Sequence, residues 1–442
     1  MEKAMNLGAM LRSFRVEPLE ESQLADFFCG DTIAIRMGNK WKSPLRDLQE
    51  ACAKPSVANA HLLLGHRGCG KSTELVNLKK QLDESGQPAH LIDCHMELDL
   101  FQANCWDIML LITEGLCKIA DDRGIILPQA TIEAVFDYLK KDTEITGTKE
   151  LSASVEAGAG IKASTPPLLS TLLNAFVSVK SDAKLSAGTR AVTKEKLEKR
   201  TSDWLGYTRI MANVISAECG GKQPVIIFEG LDKIPIPENI FSILRFTVLA
   251  QMPFPVIYTF PMDQFYSPQF PALGDSYTWH TLPMIKVSNL DGSENSDGIA
   301  VIKKIVEKRG DLALFDGQAG NGVLEYLIRK TGGSLRNLFK CIMGAAGRAD
   351  WRGADKMQRE DADSALSDLR GVLTRQIVRS EYKSLAEIYS DEKCREQIDD
   401  NELLLKMIQA SVVIEYQNGN RWHDLHPLIA DFLIRQGVIV ER

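Results

Sequence analysis

The sequence predicts an α/β fold with a parallel sheet, followed by a smaller helical unit and a C-terminal domain that contains one hairpin. Three observations lead to this class. Apolar runs that suit buried strands alternate with stretches of helical spacing between residues 58 and 290. A glycine-rich turn, GHRGCGKST at 65–73, separates the first apolar run from a helical stretch. Near the C-terminus, Asn418-Gly419 lies between two strand-like runs, and this dipeptide is a strong hairpin signal.

Composition indicates an ordinary globular chain with several domains. At about 150 residues per domain, 442 residues suggest roughly three units. The net charge of −7 is not the basic footprint of a dedicated nucleic-acid binder. Nine cysteines without a CxxC pair favour free thiols in a cytoplasmic protein over disulfides or structural zinc. The chain has no apolar run of about 18 residues, so we expect no membrane span.

The predicted core has five strands with helices between them. The strands are expected at 60–64, 90–94, 225–229, 255–261 and 280–287, and the helices at 71–82, 106–121, 201–217 and 238–252. The stretch at about 123–200 is interpreted as an insertion. Within it, residues 151–163 alternate weakly as a strand would, and a short helix follows a proline pair.

Two further units follow the core. Ser334 is a good helix N-cap, and apolar residues at helical spacing follow it, so residues 291–350 are predicted to form a helical lid. Residues 351–442 are predicted to form a helical linker and a winged-helix domain, because helices precede the hairpin and a last helix follows it. Residues 1–57 are taken as a segment that leads into the core.

The turn at 65–73 matches G-x-x-x-x-G-K-[ST] between a strand and a helix, which is the context that a phosphate-binding P-loop requires. Its backbone N–H groups and the following helix N-terminus favour phosphate. We expect Lys71 to reach the β- and γ-phosphates and Ser72 to bind Mg²⁺. ATP is expected over GTP, because no NKxD motif is present. The predicted nucleotide-binding residues are Gly65, His66, Arg67, Gly68, Cys69, Gly70, Lys71, Ser72 and Thr73.

A P-loop NTPase core needs a second strand that delivers acid to the metal, and PVIIFEGLDK at 224–233 is the candidate. In one alternative, Glu229 takes the metal position and Asp232 is the second acid. In the other, Glu229 is the general base and Phe228 takes the metal position, where it has no useful chemistry. We favour the first. Gly230 then leaves the usual base position without a side chain, so the base is Glu229 itself, Asp232 or a group from elsewhere.

Two more residues are candidates for the γ-phosphate. Thr259, at the end of the next strand, either presents its hydroxyl there or is a Thr simply favoured in a strand. Arg336, at the start of the lid helix, either reaches back to report nucleotide state or is a solvated helix residue.

These motifs together resemble the AAA+ and signal-transduction (STAND-like) ATPases. The resemblance rests on GHRGCGKST, IIFEGLD, the strand with Thr259, the TGGSLRN helix and the C-terminal hairpin; the domain order is similar to replication initiators of the origin-recognition kind. The chain departs from the usual pattern with Glu229 for Asp and with Lys233 where a further acid often stands. Arg245 is a candidate arginine finger.

The resemblance implies ATP·Mg²⁺ binding and nucleotide-dependent change between core, lid and winged helix. We therefore expect a slow ATPase that acts as an oligomeric switch for a protein partner; bacterial members of this branch often serve in anti-phage defence. The alternative is a DNA-binding AAA+ factor of the replication-initiator type. Residues 391–442 hold ten Asp and Glu against six Lys and Arg, a net charge of −4, which does not favour binding to phosphate backbones.

Overall fold

A five-stranded parallel sheet forms the centre of the chain in a computed structural model that describes residues 1–30, 32–38, 43–54, 59–142, 169, 172, 201–245, 247–317 and 322–442. The strands are β1 Ala60–Gly65, β2 Ala89–Asp93, β3 Val225–Glu229, β4 Val256–Pro261 and β5 Thr278–Thr281. Their order across the sheet is β2-β3-β4-β1-β5, and every neighbouring pair is parallel.

The sheet order places the two predicted motifs at one edge. Strands β1, β3 and β4 are buried along their whole length, as apolar strands of a parallel sheet covered on both faces should be. Because all five strands run the same way, their carboxyl ends meet at the same edge. The glycine-rich turn after β1 and the acids after β3 therefore lie on either side of the end of β4.

Helices cover the sheet and continue beyond it. In chain order the helices are α1 Leu7–Ser13, α2 Leu24–Phe27, α3 Thr32–Met37, α4 Pro44–Ala53, α5 Lys71–Glu84, α6 Cys94–Glu97, α7 Cys105–Asp122, α8 Gln129–Asp142, α9 Thr201–Glu218, α10 Asn239–Leu244, α11 Thr247–Ala250, α12 Phe270–Gly274, α13 Ser296–Arg309, α14 Val323–Lys330, α15 Leu335–Trp351, α16 Arg359–Thr374, α17 Tyr382–Ser390, α18 Glu392–Glu396, α19 Asn401–Gln409 and α20 Pro427–Arg435.

The α/β class and four of the five predicted strands are confirmed, and the fifth was placed wrongly. The prediction put it at 280–287, whereas β5 covers Thr278–Thr281. After it, the amide of Leu282 still donates to Leu64 O at 2.8 Å, but Pro283 has no N–H and cannot continue such pairing. β4 also extends two residues beyond Thr259, which therefore does not end the strand.

Two helical predictions change in detail. The helix expected at 238–252 is seen as two short ones, α10 and α11. The stretch interpreted as an insertion begins with the helix α8, and the strand expected at 151–163 lies outside the described residues. Of the helix expected after the proline pair, only Leu169 and Leu172 are described, and both are helical and buried. The helices expected at 71–82, 106–121 and 201–217 are confirmed as α5, α7 and α9.

The N-terminal segment packs on the predicted lid instead of only leading into the core. Helix α1 lies against α15, where Phe14 and Phe339 meet edge to face with ring centroids 5.5 Å apart. Such an aromatic pair adds about 1 kcal/mol beyond its buried area. Ser334 caps α15 as predicted, since its side chain accepts from Asn337 N.

The C-terminal part contains the predicted elements. An antiparallel hairpin joins β6 Val413–Asn418 to β7 Asn420–Leu425, with α19 before it and α20 after it. Its turn is at Asn418-Gly419, as the sequence predicts. The winged-helix assignment and the unit boundaries stay predictions. Among the described residues, no helix is long and apolar enough to cross a membrane.

Candidate nucleotide site

Lys71, the first residue of α5, is a buried cation held by the loop that precedes it. Its Nζ donates to Gly65 O at 2.5 Å and to His66 O at 3.1 Å, and lies 3.0 Å from Asp232 Oδ2. Burial by itself lowers the pKa of Lys71, but the neighbouring Asp232 outweighs it and the net pKa is raised. Burial likewise raises the pKa of Asp232, and Lys71 more than reverses this. Both groups are therefore charged, and the ion pair joins the loop after β1 to the residues after β3.

Glu229 and Ser72 form the second link between the same two strands. The Ser72 hydroxyl donates to Glu229 Oε1 at 2.5 Å, and Lys233 Nζ lies 2.7 Å from the same oxygen. Phe228, by contrast, stacks on Tyr258 in the core at 5.4 Å. These contacts support the alternative in which Glu229, and not Phe228, takes the metal position; the metal role itself stays a prediction.

Asp232 and Thr259 complete the oxygen-rich part of the site. The backbone N–H of Asp232 donates to Thr259 Oγ1 at 3.4 Å, so the β4 threonine contacts the loop after β3. Asp232 Oδ1 is buried and accepts no hydrogen bond from any residue that the structure describes. Ser72, Glu229 and Asp232 thus offer hydroxyl and carboxylate oxygens, the ligand type that Mg²⁺ prefers, with one acceptor still available. This donor chemistry suits a magnesium ion, and the metal site itself stays a prediction.

The loop itself is contacted by the first turn of α15. Gly68 has φ +86°, and a Cβ added there would lie 2.7 Å from both Arg336 Cβ and Ser334 Oγ. Leu335 N donates to Gly68 O at 3.1 Å. A residue with a side chain at position 68 would both strain the backbone and push this helix away. Arg336 therefore lies beside the phosphate loop, and its role as a sensor stays a prediction.

Arg36, on α3, supports the loop from the opposite side and was not singled out by the sequence analysis. Its buried guanidinium donates to Cys69 O at 2.7 Å and to Pro283 O at 2.5 Å. Burial lowers its pKa, while the nearby Cys69 and Glu74 oppose that effect. Nothing local in the sequence points to this contact, because about thirty residues separate Arg36 from the loop and no motif in them connects the two.

The remaining predicted loop residues also have defined places. Gly70 precedes α5 in a left-handed conformation, and Gly65 ends β1 directly against Leu282 O. Thr73 Oγ1 accepts from Leu19 N at 3.3 Å, which ties the N-terminal segment to the loop. Cys69 is buried and Arg67 is exposed. Arg245, the candidate arginine finger, donates to Gln269 Oε1 and approaches the Phe241 ring instead of a loop residue.

A cleft of about 970 Å³, including its open mouth, runs from the loop to the N-terminal segment and α15; small-molecule sites typically measure about 300–1,000 Å³. Among the residues that the structure describes, six Lys and Arg line it against three Asp and Glu, although the whole chain is acidic. An anionic ligand fits this surplus. The apolar part of the lining comprises Val16, Pro18, Leu19, Phe27, Phe28, Ile305, Leu335 and Phe339.

His66 connects the loop to the C-terminal hairpin. Burial lowers the pKa of His66 to about 4, so its ring is neutral at pH 7 and Nε2 accepts from Glu415 N at 2.7 Å. The next two hairpin residues are also held: Tyr416 O–H donates to Gly332 O at 2.9 Å, and Gln417 O accepts from Lys286 Nζ at 2.8 Å. Strand β6 is thus bound to the loop, to the turn before α15 and to the chain after β5.

Comparisons with known proteins find a likeness only to solved structures, and at low identity. No family model and no curated protein matches the sequence. Among solved structures, the chain is similar to ORC2 of Aeropyrum pernix in its ADP form (12% identity, 97% of each chain, TM-score 0.41). It is also similar to A. pernix ORC1 in complex with DNA (12%, 98% and 97%, 0.37) and to Cdc6p of Pyrobaculum aerophilum (14%, 95% and 99%, 0.36). TM-scores this low support no conclusion about function, which therefore rests on the residues of the site.

Replacing Lys71 by Ala should abolish ATP binding, because the cation that faces the loop is lost. It also leaves Asp232 buried and unpaired, which costs about 3–5 kcal/mol of stability. The double variant Lys71→Ala/Asp232→Asn avoids that orphan charge. We expect no heat of ATP binding by calorimetry for either variant, and wild-type binding for Lys80→Ala, a surface lysine on the same helix. Unchanged ATP affinity in the folded double variant would contradict the assignment.

Proposed function

We propose that this chain is an ATP-binding, slowly hydrolysing P-loop ATPase. The observation that carries the proposal is the pairing at the sheet edge: Ser72 Oγ on Glu229 and Lys71 Nζ on Asp232, each joining the loop after β1 to the end of β3. An acid-bearing strand next to a phosphate loop is the arrangement that nucleoside-triphosphate chemistry requires.

The cleft suggests how ATP would be bound. The N–H groups of the loop and the N-terminus of α5 would face the phosphates. Lys71 would exchange Asp232 and the two carbonyls for phosphate oxygens, and Arg336 lies on the far side of Gly68. The apolar wall from the N-terminal segment and Phe339 would cover the base. When bound, Mg²⁺ held by Ser72, Glu229 and Asp232 would neutralise charge on the phosphates.

The same contacts favour slow turnover. Gly230 follows the metal-position acid, so the residue that commonly activates water has no side chain there. Glu229 is engaged by Ser72 and Lys233, and the pKa of Asp232 is held low by Lys71 after burial has raised it. Neither carboxylate is a strong base in this arrangement.

We further propose that nucleotide controls the C-terminal hairpin, as a switch would. The carbonyl of His66 accepts from Lys71, and its ring nitrogen accepts from Glu415 N. His66 therefore contacts both the lysine expected to bind phosphate and strand β6. A change in Lys71 on nucleotide binding therefore acts on the residue that holds the hairpin. Self-assembly, a protein effector and a role in anti-phage defence, which the resemblance implies, stay predictions.

A DNA-binding AAA+ factor of the replication-initiator type is the second candidate. In its favour, α19 directly precedes the hairpin, as the recognition helix of a winged helix does, and β7 carries the exposed Arg421 close to the turn. Against it, the exposed charges of α19 are Glu402 and Lys406, and Lys406 is paired with Glu381. Strand β6 is also buried against the ATPase core.

Glu229→Gln is the variant that tests hydrolysis. Gln can still accept the Ser72 hydroxyl but has no negative charge for a metal. We expect ATP to remain bound while steady-state hydrolysis falls by about tenfold or more, equivalent to at least ~1.4 kcal/mol of barrier. The hydrolysis rate is measured as phosphate release, and ATP binding is measured separately as affinity. Equal turnover in variant and wild type would rule out this role, and wild-type protein without any turnover would reduce the function to nucleotide binding.

Duplex DNA separates the two candidates. If the hairpin serves the ATPase core, a gel shift should show at most weak binding that disappears as salt is raised from 50 to 200 mM. Arg421→Ala should then change neither ATP turnover nor the gel shift. Tight binding with a steep salt slope, lost in Arg421→Ala, would instead establish the DNA-binding candidate.

A further inference from the structure

We propose that His95 is the general base of ATP hydrolysis in this chain, in place of the acid that Gly230 lacks. The inference rests on the proposed ATPase function and names a catalytic residue for it. It starts from the space beside Gly230.

The imidazole of His95 lies next to the place where a side chain at position 230 would begin. Strands β2 and β3 are paired with Asp93 opposite Glu229, so the residues that follow the two strands are also neighbours. A Cβ added to Gly230 would lie 3.4 Å from His95 Cδ2 and 3.8 Å from Lys233 Nζ. The Cδ2 atom is bonded to Nε2, so this ring nitrogen is on the side of the ring that faces position 230.

Gly230 itself does not admit the usual acid. Its φ of +92° is a left-handed conformation that residues with a side chain rarely adopt, so a glutamate here would be strained. The backbone that brings Leu231 and Asp232 under the loop after β1 therefore excludes a side chain at 230. Strand β3 lies between β2 and β4, and it is the residues after β2 that lie next to Gly230.

The His95 side chain has no partner among the described residues. By contrast, Glu229 Oε1 is bound by Ser72 and Lys233, and Asp232 Oδ2 is paired with Lys71. Its backbone N–H is fixed by Asp93 Oδ1 at 2.9 Å, which caps the short helix α6. Its side chain is exposed, and its ring nitrogens make no hydrogen bond within the part of the chain that the structure describes. Histidine is the commonest general base in enzymes. Lys233 connects this position to the site, since its Nζ lies 2.7 Å from Glu229 Oε1.

The step balances with ATP and water alone. A water oxygen forms a bond to the γ-phosphorus while the bond from that phosphorus to the β–γ bridging oxygen breaks. The bridging oxygen and its electron pair leave with ADP. One water proton passes to His95 Nε2, and the imidazolium later returns it to solvent. The products are ADP and inorganic phosphate.

Chemical rescue tests the proposal. His95→Ala opens a space at an exposed position, and His95→Gln keeps a side chain of similar volume to histidine. In single-turnover reactions with saturating ATP·Mg²⁺, both variants should lose about 100-fold in rate, the lower end of general-base effects, while ATP affinity by calorimetry stays within about twofold. Imidazole in the buffer should restore part of the rate of His95→Ala. Met96→Ala, an exposed neighbour on the same helix, should turn over like the wild type and should not respond to imidazole.

The outcomes distinguish this inference from the proposed function. Wild-type rates in His95→Gln, or a loss of rate in His95→Ala that imidazole does not restore, overturn the base while leaving the ATPase in place. A fall in ATP affinity without a change in the single-turnover rate also overturns it, because His95 would then be a ligand of the nucleotide. If the wild type binds ATP without hydrolysing it, the base is rejected but nucleotide binding stands. If it binds no ATP, both proposals fail.

Discussion

The buried ammonium group of Lys71 is the interaction on which the rest of the site depends. Three acceptors surround it, two from the loop after β1 and one from Asp232 after β3. A buried cation of this kind is stable only while it is paired, because the loss of one partner leaves an uncompensated charge. The pair therefore holds the loop against the carboxyl end of the sheet. On ATP binding, phosphate oxygens would replace the present acceptors of Lys71.

Around this cation, four separate parts of the chain contact a loop of nine residues. The N-terminal segment contributes Arg36 and Leu19, and the residues after β3 contribute Asp232. Helix α15 contributes Leu335, and the hairpin contributes Glu415. A group that changes the loop changes the environment of each of these parts at once. In the proposed switch, a movement of Lys71 would reach the C-terminal hairpin through His66, which contacts both.

The sequence predicts the local features of this site well, and misses those that depend on distant contacts. The phosphate loop, the acid strand and the hairpin each carry their signal within about ten residues, as turn glycines, an apolar run or an Asn-Gly pair. Arg36, His66 as a hairpin ligand and His95 have no such signal, because their partners lie in other strands and helices. The fifth strand was misplaced for a different reason: Pro283, a local signal that lies within the predicted range, cannot continue the pairing, so β5 ends before it.

Exchange of the Glu415 backbone amide tests most directly whether the loop and the hairpin are coupled. This amide donates to His66 Nε2, and the carbonyl of His66 accepts from Lys71. Amide hydrogen exchange, followed by mass spectrometry of a peptide covering β6, should be faster with saturating ATP·Mg²⁺ than without nucleotide, since Lys71 then turns to the phosphates and releases His66. Identical exchange of this peptide in both states, with ATP shown to be bound, would contradict the account.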